Sequence, residues 1–337
     1  MREAEQKTVQ KSRMNLTLQR RRRITHSRIL CRVRFENMND QPRLPLRSDG
    51  TAADACRPPP ALVSPRPFLR WAGGKTRLLQ ALNPHFPTTF NNYFEPFLGS
   101  GAVFFHLRDR AFGRYFLSDL NDEIANIWRV VQSHPGRLLR EVDKYQGLDT
   151  EDEYYAVRER ATPRSNIKRA ARFLYLNQTA WNSLWRVNKQ GVFNVPWGAR
   201  PFRGIDADSL RAVTRVIHDA SIENIDFRQA LAKPRAGDFV YLDPPYLPVS
   251  DTSKFSGYTG KRFRLADLED LADICKDMTQ RGVTWTMSNR NTPVVRELFG
   301  TAKMTHFTTR RSVAAQNRRN VEPADSPEII VTNRAPC

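Results

Sequence analysis

The stretch FVYLDPPY, Phe239 to Tyr246, constrains the fold more than any other part of the chain. Strand-forming residues Phe239, Val240, Tyr241 and Leu242 run straight into Asp243, Pro244, Pro245 and Tyr246. Neither proline can donate to a ladder, so a buried strand must stop at Asp243. The bland account is a tight turn. The sharper account is a rigid platform, built from a carboxylate, a fixed backbone and an aromatic ring, that holds a flat substrate.

The text around this strand alternates. NYFEPF (92–97) reads as a short strand, GSG as a turn, and AVFFHLRDR as a helix. RYFLSD (114–119) reads as a second strand. In DEIANIWRVVQS, Ile124, Ile127, Trp128 and Val131 recur at i, i+3, i+4, i+7, the spacing of one helix face. Further strands are expected at 222–227, 238–242, 283–288 and 328–333, with a long helix over 265–281. Alternating strands and helices imply a doubly wound α/β sheet. Residues 135–205 break the rhythm. They are rich in Arg, Asn and aromatic residues and contain VNKQGVFNV, which reads as a hairpin with glycine in its turn. The expected organisation is a basic, disordered arm at 1–66, a main domain at 67–134 and 206–337, and an inserted domain at 135–205.

The formal charge is +19 over 337 residues. The arm holds 15 Lys/Arg against 6 Asp/Glu, and the remainder 39 against 29. The body is therefore basic on its own account, which suits a polyanion such as nucleic acid. Cys31, Cys56, Cys275 and Cys337 are scattered, and neither they nor the six histidines show ligand spacing, so no metal is expected. Such cysteine usage favours a reducing, cytoplasmic setting. No apolar run is long enough to span a membrane, and the N-terminus lacks an apolar signal core.

EPFLGSGAVF places Gly99 and Gly101 where a strand turns into a helix, allowing close backbone approach to a ligand. Phe104 occupies the place of the third glycine in a dinucleotide fingerprint, which disfavours a pyrophosphate. Asp119 ends the next strand, where an acid commonly accepts ribose hydroxyls. A nucleoside without pyrophosphate fits both features, and S-adenosylmethionine is one. FLRWAGGKTRLL (68–79) is not a phosphate loop, because Leu69 stands where that loop needs glycine. Lys75 can instead meet the cofactor's carboxylate, and Trp71 its apolar surface. A helix cap with a core tryptophan is an equal account of those two residues alone.

FLRWAGGK, EPFLGSGAVF and DPPY in this order resemble the DNA adenine methylase (Dam) family, over about residues 67–333. RFLYLNQTAWNSLWRVNKQGVFNVPWG (172–198) is similar to the family's target-recognition segment, and RRSVAA (310–315) to its basic late strand-loop. The motif order resembles the family's α group. The resemblance implies a Rossmann-like S-adenosylmethionine-dependent sheet with an inserted, mainly helical recognition domain. It also implies methyl transfer to adenine N6 in duplex DNA by base flipping, and a monomer. By resemblance, Trp71, Lys75, Glu95, Gly99, Asp119 and Asp243 hold the cofactor. Asp243 and the Pro244 carbonyl accept the amino hydrogens, and Tyr246 stacks on the flipped base.

For DNA reading, the resemblance points to Arg186 on a guanine, Leu184 and Pro196 on a thymine methyl, and Asn182 beside the target base. Arg70 reads or clamps a second guanine. A GATC site follows, although Gln178, Trp181 and Arg200 differ from the family's usual residues. The rival for any one arginine is a phosphate contact. The loop LPVSDTSKFSGYTGKRF is expected to order over DNA and cofactor. Rival functions are methylation of RNA or of a protein glutamine amide, and a DNA-binding relic without catalysis.

Overall fold

The computed structural model describes residues 63–71, 73–188, 190–247, 263–310 and 325–334. The arm, most of the loop after Tyr246 and the RRSVAA segment beyond Arg310 lie outside them. Seven strands form one sheet in the order β3-β2-β1-β4-β5-β7-β6. They are β1 (Tyr93–Glu95), β2 (Tyr115–Ser118), β3 (Ser221–Glu223), β4 (Phe239–Leu242), β5 (Thr284–Arg290), β6 (Lys303–Arg310) and β7 (Asp325–Thr332). The first five are parallel, while β7 runs antiparallel between β5 and β6. The α/β doubly wound expectation holds.

Strand periodicity explains why β4 is apolar throughout. Phe239 and Tyr241 enter one core cluster, and Val240 and Leu242 the other, on the opposite face. On the first face lie α1 (Leu79–Leu82), α2 (Ala102–Leu107) and α3 (Asp122–Ser133). The same cluster takes in α4 (Pro135–Asp143), α5 (Glu151–Glu159), α6 (Asn166–Thr179) and α7 (Ala207–Ile217). The second face is covered by α8 (Phe227–Leu231), α9 (Leu265–Gln280) and α10 (Pro293–Leu298). Residues 135–205 therefore share their core with α3 through Ala170, Phe173, Leu174 and Tyr175 of α6.

Local chemistry sets the helix starts. Asn121 caps α3 by accepting from Glu123 N at 3.0 Å, and Thr150 and Glu153 form a capping box on α5. Two expectations need correction. The strand expected at 222–227 stops at Glu223, because the Asp226 carboxylate accepts from Arg228 N at 2.9 Å and starts α8. Second, residues 303–310 form a strand where none was expected. KMTHFTTR carries no strong apolar alternation, and it is a strand because β7 pairs with it along its whole length.

Candidate active site

Strand order reverses between β1, with β2 and β3 on one side, and β4, with β5 on the other. That switch point opens a crevice at the carboxyl ends of the strands. All three sequence-derived clusters converge there: Gly99 after β1, Asp119 after β2, and Asp243 after β4.

Gly99 and Gly101 have φ of +48° and +67°, a region that side chains disfavour. Contact also restricts them. A Cβ on Gly99 would come within 2.7 Å of Trp71 Cδ1, and one on Gly101 within 2.7 Å of the Trp128 ring. Trp128, fully buried, donates from Nε1 to Gly99 O at 3.1 Å and so supports the loop from below. Asp119 accepts from Gly99 N at 2.9 Å and from Asn121 N at 2.8 Å. Each carboxylate oxygen keeps acceptor capacity for a diol. Burial pushes its pKa up to about 6 against those two N–H donors. A bare backbone cradle beside a strand-end carboxylate, walled by an indole, fits a nucleoside-bearing cofactor.

Lys75 is buried at the start of a 3₁₀ turn. Its ammonium reaches Gly73 O at 2.7 Å and both oxygens of Asp243, each at 2.7 Å. Two of its N–H donors are therefore engaged, by Gly73 O and Asp243 Oδ2, with Asp243 Oδ1 in ion-pair contact. Burial raises the pKa of Asp243, and Lys75 pulls it back down. The same ammonium lies 5.5 Å from the Tyr246 ring centroid. Ser288 on β5 sits 3.4 Å from Asp243 Oδ1 and 2.7 Å from the Tyr241 hydroxyl.

Glu95 is only 3% exposed and accepts from the Tyr93 hydroxyl at 2.8 Å. Burial pushes its pKa up to about 8; Tyr93 opposes the rise, and the charges of Asp243 and Asp119 add to it. Glu95 therefore lies behind the crevice, with its proton retained at neutral pH.

Of the residues expected to read DNA, Asn182, Leu184, Arg186 and Pro196 lie on one hairpin, and Arg70 lies outside it. Val187 and Phe193 bridge antiparallel, as do Ala180 and Trp197, and Gly191 makes the turn at φ +77°. Trp185, Phe193 and Val195 point inward, with Trp185 4.5 Å from both Phe173 and Phe193 between ring centroids. Leu184, Arg186 and Pro196, alternating with these, stay half-exposed along with Asn182. Arg186 bonds from Nε to Asn194 Oδ1 at 2.8 Å and from its Nη2 to Asn194 O at 3.2 Å, which leaves guanidinium donors for a base. Asn182 and Ser183 both hold positive φ, +51° and +54°, a kink the sequence does not announce. Gln178 is taken up by structure: it donates to Gly204 O at 2.7 Å and accepts from Arg203 N at 3.1 Å.

Several site residues escape sequence reasoning. Asn177 on α6 grips the backbone of Arg70, accepting from its N at 3.1 Å and donating to its O at 2.6 Å. Arg70 itself stays exposed, with its backbone held against α6. Glu328 on β7 accepts from the Tyr246 hydroxyl at 2.7 Å. Nothing in PEIIVT distinguishes that glutamate from a surface one. Among the described residues no cluster of His, Cys, Asp and Glu can hold a metal ion, and no helix is long and apolar enough to cross a membrane.

Comparison with known proteins decides the family. Residues 71–313 match the D12 class N6 adenine-specific DNA methyltransferases. The chain belongs to this family. It is 32% identical to the Type II methyltransferase M1.LlaDCHI of Lactococcus lactis subsp. cremoris, over 80% of this chain and 96% of that one. It is 33% identical to a DNA adenine methylase of Haemophilus influenzae, over 76% and 91%. With the DNA adenine methylase of Escherichia coli K12 it shares 31% identity over 74% and 90%. The enzyme uses S-adenosylmethionine to methylate adenine in DNA.

Proposed function

We propose that the enzyme acts on a short double-stranded site, turns the target adenine out of the helix and transfers the methyl group directly. The observation that carries this reading is the Lys75–Asp243 pair at the carboxyl edge of β4, next to the Gly99–Asp119 cradle. Adenine N6 is a poor nucleophile, because its lone pair is spread into the ring. Its amino group is also hidden in a duplex, so the base has to leave the stack.

In this reading the extruded base lies on the Tyr246 ring. The Asp243 carboxylate and the Pro244 carbonyl accept its two N6 hydrogens. That draws the nitrogen toward tetrahedral geometry and stabilises the positive charge that develops on it. Lys75 favours the ionised, accepting form of Asp243 against the pull of burial. The prolines fix the carbonyl, because their φ cannot rotate. Trp71, Lys75, Glu95, Gly99 and Asp119 form the cofactor side of the crevice. S-adenosylmethionine supplies the electrophilic methyl group on its sulfonium. No covalent enzyme intermediate is needed.

Residues 135–205 serve as the target-recognition region in the same reading. Arg186 reads a guanine, Leu184 and Pro196 pack on a thymine methyl, Asn182 occupies the space next to the target base, and Arg70 meets a second guanine. Those assignments favour GATC. The enzyme is taken as a cytoplasmic monomer. A role in restriction–modification agrees with the Lactococcus relative being a Type II methyltransferase.

The test is transfer from labelled S-adenosylmethionine to unmethylated duplex DNA, followed by sequencing that detects methyladenine. Label confined to adenine in GATC is the expected result. Label in another motif would retain the chemistry and overturn the base assignments. Label on RNA or protein, and none on duplex DNA, would overturn the reading.

A further inference from the structure

Glu328 is a buried carboxylate that the chemistry above does not use. It is 2% exposed and lies on β7 between Phe307 of β6 and Arg290 of β5. Its chain neighbours Ile329, Ile330 and Val331 are core residues. A carboxylate in such a place costs desolvation free energy unless strong bonds compensate. One compensation is visible: the Tyr246 phenol donates to Glu328 Oε2 at 2.7 Å, the length of a charge-assisted O–H···O⁻ bond. Tyr246 and Glu328 are 82 positions apart, so the contact exists only because β7 folds back beside β5.

The geometry has a consequence for the ring. An aromatic side chain bonded at its tip to a strand in the sheet cannot swing about its first side-chain torsion without breaking that bond. The other end of the platform, Asp243, is held by Lys75. We propose that Glu328 is the positioning residue of the base platform: its carboxylate fixes the Tyr246 ring in the orientation that receives the flipped adenine. The inference rests on the reading of Tyr246 as the stacking surface. It explains why a buried glutamate stands next to the apolar run Ile329–Val331, and it gives the antiparallel part of the sheet a role in the reaction.

The experiment compares Glu328→Leu, Glu328→Gln, Tyr246→Phe, Tyr246→Ala and the double variant Tyr246→Phe/Glu328→Leu. The substrate is an unmethylated duplex carrying the site that sequencing identifies, with 2-aminopurine in place of the target adenine for the fluorescence arm. Glu328→Leu is expected to slow single-turnover transfer about tenfold or more, the loss of one hydrogen bond to a charged group. Cofactor and duplex affinities should hold, and 2-aminopurine should emit more brightly because the flipped base is less well stacked. Glu328→Gln, which keeps an acceptor, should recover most of that loss. The double variant should be no slower than the slower single one, because both changes remove the same bond.

Additive losses in the double variant would overturn the inference, as would a Glu328→Leu enzyme with unchanged rate and emission. If Glu328→Leu fails to fold, Tyr246→Phe and Glu328→Gln still decide, since full activity in Tyr246→Phe also overturns it. Tyr246→Ala separates this inference from the reading beneath it. Should that variant flip and methylate normally, Tyr246 is not the platform and both fail. Should it alone be inactive, only the role of Glu328 fails.

Discussion

The crevice at the carboxyl edge of the sheet and the hairpin at 180–197 are built in opposite ways. At the crevice, polar bonds join residues far apart in the chain: Lys75 to Asp243 across 168 positions and Tyr246 to Glu328 across 82. Lys75, Glu95 and Glu328 are buried. In the hairpin, Arg186 finds its partner Asn194 only eight residues away, and the reading side chains remain half-exposed. Chemistry on a weak nucleophile gains from groups that are fixed before the substrate arrives, since reorganisation would otherwise add to the barrier. Base reading gains from side chains that can still turn to meet a groove, because the DNA supplies the final partner.

Four measurements can break or sharpen that contrast. The largest effect is expected from Asp243→Ala, which removes the proposed acceptor of an amino hydrogen. Transfer should fall by about 10³-fold or more while duplex affinity stays within about threefold. Equal collapse of both in a filter-binding and single-turnover pair would mean that the crevice and the hairpin are not separable.

Lys75→Met comes next. Without the ammonium, the pKa of Asp243 climbs further, because burial is then opposed by less. A larger share of the carboxyl is then protonated, and a protonated carboxyl is a poorer acceptor for the amino hydrogen assigned to it. The rate should drop about 10- to 100-fold at pH 7 and recover in part as pH rises. A uniform loss across the pH range would assign Lys75 to cofactor binding instead.

Arg186→Ala should cost roughly 1–3 kcal/mol of discrimination at one base pair, with little change in melting temperature. Its structural partners are local, so the fold should hardly register the loss. Equal weakening on every sequence would make Arg186 a phosphate contact.

The smallest effect concerns Glu95. Its pKa in the folded protein is about 8, above the ordinary glutamate value of 4.5, so the folded state holds a proton that the unfolded chain releases. Stability should therefore fall as pH rises between those values. Glu95→Gln should flatten that dependence, so that the variant gains stability relative to the parent as pH rises from 5 to 8. A slope that survives the change in thermal melts would place the titration elsewhere, with Asp119, at about 6, the next group to replace.

Most of the parallel half of the sheet was legible in the chain. The run Phe239–Leu242 ends where the prolines require, and α3 matches its apolar spacing residue for residue. Apolar periodicity and capping are local signals, and these elements obey them. The antiparallel edge was legible only in part. β6 has weak strand character of its own, and only pairing with β7 fixes it as one. Likewise Asp226, read as strand, caps a helix.

The site divides along the same line. Gly99, Gly101, Asp119 and the DPPY turn could be identified from their positions at strand ends, because a strand's carboxyl end, its glycines and its prolines are properties of neighbours in the chain. Alternation of strands and helices pointed to the fold class, and the resemblance that these motifs carry to the Dam family supplied the cofactor and the reaction. What holds those groups was decided by tertiary structure alone. Lys75 meets Asp243, Asn177 grips Arg70, Trp128 props Gly99, and Glu328 takes the Tyr246 hydroxyl. A buried polar side chain needs a partner, but the chain's order does not say which residue folding will bring within 3 Å of it.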